Sequence, residues 1–203
     1  MSQPVSLNIA LVGVGGQGTL VAGKLLGTVA TLLGLDVKVS EVHGMSQRGG
    51  SVVTYVRIAD HVNSPLIEPA QADFILAFEE LEALRWAYLL KAGGSMMVNT
   101  LKILPATVAI GASAYPQDIV EELDAKAHGN SHIFAFDAQK LADEAGSYKA
   151  TNLVMLGAMA RLTTIDPAIF AEAIDKVFPE KLRAVNHTAF QSGSDIIKYK
   201  CEF

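Results

Sequence analysis

The segment Gly13-Val14-Gly15-Gly16-Gln17-Gly18 constrains this chain more than any other. It follows an apolar run, residues 7–13, that reads as a buried parallel strand, and it opens a helical pattern from Gln17 to about Leu33. Gly13, Gly15 and Gly18 fall at the G-x-G-x-x-G spacing. In a strand-to-helix turn the first glycine permits the sharp bend. The second permits a close approach by a ligand or a neighbouring backbone, and the third lets helix pack on strand. The helix start offers free N–H groups and the positive end of its dipole. A phosphate suits that end. A partner chain that needs only the close approach suits it too.

The rest of the chain alternates strand and helix patterns. The helix after the turn carries one charge, Lys24, and its small and apolar residues predict burial almost all round. Strands are expected at 36–42, at 51–58 with one face half-buried, at 73–78, at 95–99 and at 132–137. Residues 79–91 predict an amphipathic helix burying Leu81, Leu84 and Tyr88, stopped by Gly93-Gly94. Val108 to Gly111 reads as a short extra strand and Ile119 to Ala127 as a helix. From Ala138 helices follow at about 138–146, 151–163, 167–178 and 180–198, the third opened by Asp166-Pro167. The expectation is a single α/β domain. It has a Rossmann-like, mostly parallel sheet over about 5–137, helices on both faces, and a helical extension over about 138–203.

Composition narrows the function. Half of the residues are hydrophobic and only 18% are charged. No apolar run approaches the ~20 residues of a membrane span, so the excess must be buried in the protein and at subunit contacts. The net charge of −5 and the lack of a basic stripe argue against nucleic acid as a partner. The start, Met1-Ser2-Gln3-Pro4, shows no signal segment, which predicts a cytoplasmic protein. The single cysteine, Cys201, cannot hold an iron–sulfur cluster within the chain. The histidines at 43, 61, 128, 132 and 187 show no metal-ligand spacing.

A second loop, Glu41 to Gly50, belongs at the carboxyl end of the second strand, beside the glycine turn, where open α/β sheets bind ligands. Its Ser46-Gln47-Arg48-Gly49 core frees an arginine to reach a phosphate, a carboxylate, or an acid on a partner. His43 is either an acid–base group or a loop anchor. Glu41 stands where a nicotinamide enzyme keeps the acid that holds the ribose. The His43-Gly44 pair and the arginine loop follow at once, unlike the usual continuation. Glu79 ends the fourth strand and begins a helix, as a cap or as a polar group in the cleft.

The two loops, with Ala72-Asp73-Phe74-Ile75-Leu76-Ala77-Phe78-Glu79-Glu80-Leu81-Glu82-Ala83-Leu84-Arg85, resemble the gamma subunit or domain of 2-oxoacid:ferredoxin oxidoreductases. The stretch from Glu41 to Ile58 is similar to the small subunit of the indolepyruvate branch. The resemblance covers nearly the whole chain. It implies an accessory subunit without catalytic residues or cofactors of its own. A large partner subunit would carry thiamine diphosphate, magnesium and iron–sulfur clusters, with coenzyme A as co-substrate and ferredoxin as electron acceptor. Gly13, Gly15, Gly16, Gln17, Gly18, Ser46, Gln47, Arg48 and Gly49 match the family motifs and imply an edge that docks on that subunit. Contact of Arg48 or of the helix start with coenzyme A is a further expectation, and so is a homodimer of the isolated chain. Three other readings stay open: the same role in a pyruvate or 2-oxoglutarate oxidoreductase, a stand-alone NAD-binding oxidoreductase, and a homo-oligomeric binding module with no redox partner.

Overall fold

A computed structural model describes residues 5–44, 49–126 and 131–201. Strand β1 spans Leu7–Val14, helix α1 Thr19–Leu32, and strands β2 and β3 Asp36–His43 and Ser51–Ala59. Strand β4 is Ala72–Ala77, helix α2 Glu80–Trp86, and strand β5 Leu90–Asn99. Helices α3 and α4 are Ala106–Ala109 and Ile119–Lys126, and strand β6 is His132–Phe136. Helices α5 to α8 follow at Ala138–Glu144, Thr151–Ala160, Pro167–Val177 and Glu180–Cys201.

The six strands form one sheet in the order β2-β3-β1-β4-β5-β6. The pairs β1–β4, β4–β5 and β5–β6 are parallel, while β3 runs antiparallel to both β1 and β2. The reason is the length of a connection. Too few residues separate His43 from Ser51 for a crossover helix, so β3 must return as a hairpin. It fills the place between β2 and β1. Its two faces enter the two cores on either side of the sheet, Val56 and Ile58 one and Val53 and Tyr55 the other, so it is buried on both faces, not one as its alternation suggests.

One face of the sheet is covered by α1 and by α5 to α8, around Leu25, Leu26, Val29, Met97, Leu153, Leu156 and Phe170. Helix α6 is buried from Asn152 to Met159. It lies so close to α8 that a Cβ on Gly157 would stand 1.9 Å from the Phe190 carbonyl oxygen, and one on Gly193 1.9 Å from that of Val154. Only glycine at both positions lets the two backbones touch. The other face is covered by α2 and α4 with the segment carrying Val62 and Ile67, around Ile75, Leu89, Met96 and Leu123.

Four local expectations are corrected. Helix α1 is not buried all round: Leu20 and Val21 in its first turn are exposed. The helix expected to reach Lys91 ends at Trp86 and tightens into a 3₁₀ turn over Ala87–Leu89, and the glycine pair Gly93-Gly94 lies within β5. Leu81 and Leu84 pack partly buried on the core as expected, but the fully buried residues are Glu80, Glu82 and Ala83, and Tyr88 is exposed. The extra strand at 108–111 is instead the exposed single turn α3, started by Pro105 at its N-cap.

Candidate functional site

The glycine turn sits at the carboxyl end of β1 and is braced from inside. Gln17 folds back, so that its Oε1 accepts from the Val14 N–H at 2.7 Å and its Nε2 donates to the Phe78 carbonyl at 2.9 Å. Gly13 makes room for this, since a Cβ there would meet Gln17 Oε1 at 2.6 Å. Gly16 and Gly18 adopt φ of 103° and 83°, a region that side chains disfavour. Gly18 is the N-cap of α1 and supplies no side-chain cap. The Phe78 carbonyl also accepts from Asn99 Nδ2 at 3.0 Å, and Asn99 Oδ1 accepts from the Ala138 N–H at 3.0 Å. One polar chain thus ties the ends of β1, β4 and β5 to the start of α5. Nothing in the sequence reading singled out Asn99; its signal is a lone amide at the end of the apolar run Met96-Met97-Val98.

The second loop meets the turn as expected. The Gly15 N–H donates to the Gly50 carbonyl at 2.9 Å, and Gly49 has φ of 74°. Ser46, Gln47 and Arg48 lie outside the described residues. Glu41 and His43 come to the same edge with Gly15, Gly16 and Gly18, around a shallow cleft. Glu41 Oε2 accepts from Thr54 Oγ1 at 3.1 Å and Thr19 Oγ1 at 3.3 Å, and its Oε1 lies 3.2 Å from His43 Nδ1. Because β3 stands between β2 and β1, Glu41 is one strand further from the glycine turn than the ribose-binding acid of a dinucleotide fold. Its oxygens brace α1, β3 and His43. That arrangement disfavours the stand-alone NAD reading.

Glu79 lies apart from this edge. It is 1% exposed. It caps α2 by accepting from the Glu82 N–H at 2.9 Å, and it also accepts from the Ile103 N–H at 3.0 Å and the Tyr115 hydroxyl at 2.6 Å. Burial first, and Glu79 second, push the Tyr115 hydroxyl well above the ordinary phenol range. Glu82 accepts from Ser51 Oγ and from Trp86 Nε1, the latter at 3.2 Å, and pairs with Arg85. Burial raises its pKa, against the opposing effects of Ser51, Arg85 and Trp86. Ser51 opens β3, so Glu82 anchors the exit of the second loop to α2. Glu80 pairs with Lys102 at 3.2 Å. Among the described residues no three His, Cys, Asp or Glu side chains come together as a metal site, and no helix is long and apolar enough to cross a membrane.

Comparison with known proteins decides the family. The model of the pyruvate ferredoxin/flavodoxin oxidoreductase family matches residues 8–196. The chain belongs to that family. Indolepyruvate oxidoreductase subunit IorB of Pyrococcus horikoshii is 44% identical over 195 residues, covering 92% of this chain and 93% of its own. The 2-oxoglutarate synthase subunit KorC of Methanothermobacter marburgensis is 31% identical over 193 residues, covering 93% and 95%. Among solved structures, the keto/oxoacid ferredoxin oxidoreductase gamma subunit of Geobacter sulfurreducens superposes with a TM-score of 0.71 at 26% identity. It covers 95% of this chain and 99% of that one. In this chain the glycine turn with its bracing glutamine occupies the strand-to-helix position expected from the sequence.

Proposed function

We propose that this chain is the small, non-catalytic subunit of a 2-oxoacid:ferredoxin oxidoreductase of the indolepyruvate class. The observation that carries the reading is the end-to-end match to an indolepyruvate oxidoreductase subunit at 44% identity, against 31% for a 2-oxoglutarate synthase subunit. In this reading a larger subunit binds thiamine diphosphate, magnesium and iron–sulfur clusters. The complex converts indolepyruvate or a related aryl pyruvate to the acyl-coenzyme A, passing electrons to ferredoxin in the cytoplasm. This chain supplies a preformed edge. The glycine turn is braced by Gln17, and the strand ends that flank the second loop are braced by Glu41 and Glu82; beside them Leu20, Val21 and Val42 are 59%, 38% and 47% exposed. That apolar strip is the surface for the larger subunit. In the isolated chain the same strip drives self-association. Arg48 and the amides at the start of α1 contact the phosphates of coenzyme A.

The test is co-expression of the tagged chain with the candidate large subunit. Purification is followed by viologen reduction with indolepyruvate, pyruvate and 2-oxoglutarate, each with coenzyme A. A stable complex preferring indolepyruvate supports the reading. Preference for 2-oxoglutarate moves the chain to that branch. A chain that ignores the large subunit and binds NAD by itself overturns it. Arg48→Ala in the complex raises the KM for coenzyme A; an unchanged value removes that contact.

A further inference from the structure

A cavity of about 570 Å³ opens beside the glycine turn, between the end of the sheet and the start of α8. Val21 of α1, Leu101 and Ile103 from beyond β5, and Phe178, Leu182 and Val185 from around the start of α8 wall it. Among the described residues no carboxylate lines it. Two amides in the lining are committed to the chain itself: Gln17 to Val14 and Phe78, Asn99 to Phe78 and Ala138. Among the described residues the buried side-chain atom left without a hydrogen bond is Glu80 Oε2, and Glu80 is not in the lining. A small-molecule site is an apolar pocket with a few placed polar groups that orient its ligand. This cavity offers no such buried group. It suits apolar surface whose orientation is fixed from outside.

Its mouth is apolar as well. Val21, Tyr148 and Leu182 line the cavity and are exposed. Leu20 and Leu104, next in the chain to Val21 and Ile103, are exposed too. An exposed apolar patch around a pocket is the pattern of a protein interface with an anchor site. Two observations name the occupant. Val21 belongs both to this mouth and to the strip assigned above to the larger subunit, so the cavity continues that surface. Lys149 also lines the mouth; it is exposed, and its ammonium group makes no ion pair among the described residues.

We propose that this cavity is the anchor socket of the subunit interface. A short segment of the larger subunit seats large apolar side chains among Phe178, Leu182 and Val185 and sets a carboxylate against Lys149. The proposal rests on the subunit reading and deepens it, by extending the contact from α1 and β2 to α8. Anchors held in such pockets carry most of the energy of an interface, while the surrounding contacts exclude water. A charge at the rim steers the encounter more than it holds the complex.

The experiment titrates the purified full-length chain and its variants into the candidate large subunit. Leu182→Glu is expected to weaken binding by about thirtyfold, and Val185→Trp, which fills the cavity, by about tenfold or more. Lys181→Glu makes a larger change of charge one residue away, outside the lining, and leaves the affinity within about twofold. Lys149→Glu slows association by about threefold at low salt, and the difference fades as salt rises. Circular dichroism of each variant alone separates a lost contact from a lost fold. Hydrogen exchange on the wild-type chain needs no variant: complex formation should protect residues 147–152 and 178–186. Three results overturn the socket while the wild-type complex, and with it the subunit reading, stands. They are unchanged affinity in Leu182→Glu and Val185→Trp, an equal loss in Lys181→Glu, and no protection at those two segments. A wild-type chain that does not bind the large subunit overturns both.

Discussion

The two faces of the sheet are built on different chemistry. Under α1 and α6 to α8 the core is hydrocarbon, and its closest contact is backbone on backbone at Gly157 and Gly193. Under α2 the core holds carboxylates: Glu79, Glu80 and Glu82 are all at least 94% buried, and each reaches a donor or cation. The first face gains stability from area and close packing, which are not directional. The second gives up some of that for hydrogen bonds and one ion pair that fix three loops. Glu79 holds the segment at Ile103 and Tyr115, Glu82 holds Ser51 at the exit of the second loop, and Glu80 holds Lys102. Packing builds the body, and buried acids aim the edge that the proposed partner meets.

This contrast can be broken on either side. The largest effect is expected from Gly157→Ala. A methyl group 1.9 Å from a carbonyl oxygen has no room, so α6 and α8 must part, at a cost of about 3 kcal/mol or more. Urea unfolding measures it, and an unchanged midpoint would mean the helices do not touch as described. On the other face, Glu79→Ala strands the N–H groups of Glu82 and Ile103 and the Tyr115 hydroxyl, at about 2–3 kcal/mol. Glu79→Gln should recover part of that loss. At the junction of the two faces, Gln17→Ala leaves the Val14 N–H unmet and should cost about 1–2 kcal/mol. It should also weaken capture of the large subunit by more than the stability loss alone explains.

The smallest effect is a pH dependence. Burial raises the pKa of Glu82 in the folded chain, so the folded state holds that proton more tightly than the unfolded one. Its contribution is fully present below the ordinary carboxylate pKa and is lost as pH rises through the raised value. Arg85, Glu79, Ser51 and Trp86 surround it. The stability of the native chain relative to Glu82→Gln should therefore fall across that window in unfolding curves taken from acid to neutral pH. A difference that stays flat would show the carboxyl is not desolvated.

What could be read from the residues alone follows the same divide. The glycine turn, the strands and the helices of the apolar layer were legible, because a 3.6-residue or continuous apolar pattern is itself the signature of burial there. The antiparallel return of β3 was not drawn, although the short connection after His43 requires it. Helix α2 was read only in part: Leu81 and Leu84 do pack on the core, but a wheel also places Tyr88 inward and has no means of finding partners for the buried Glu80 and Glu82. The residues Val108 to Ile110 look like a strand by their side chains, yet they pair with nothing and form one exposed turn. At the site, the glycines and Gln17 announced themselves by spacing. Asn99 and Tyr115 did not, since each is a single polar residue whose partners come from distant parts of the chain.

The most direct test of the account is to titrate this chain into its purified large subunit and follow indolepyruvate-dependent viologen reduction in the presence of coenzyme A. The account predicts no turnover by either chain alone and activity that rises to saturation at a fixed ratio of the two. Full activity from the large subunit without this chain, or turnover by this chain without the large subunit, would contradict it.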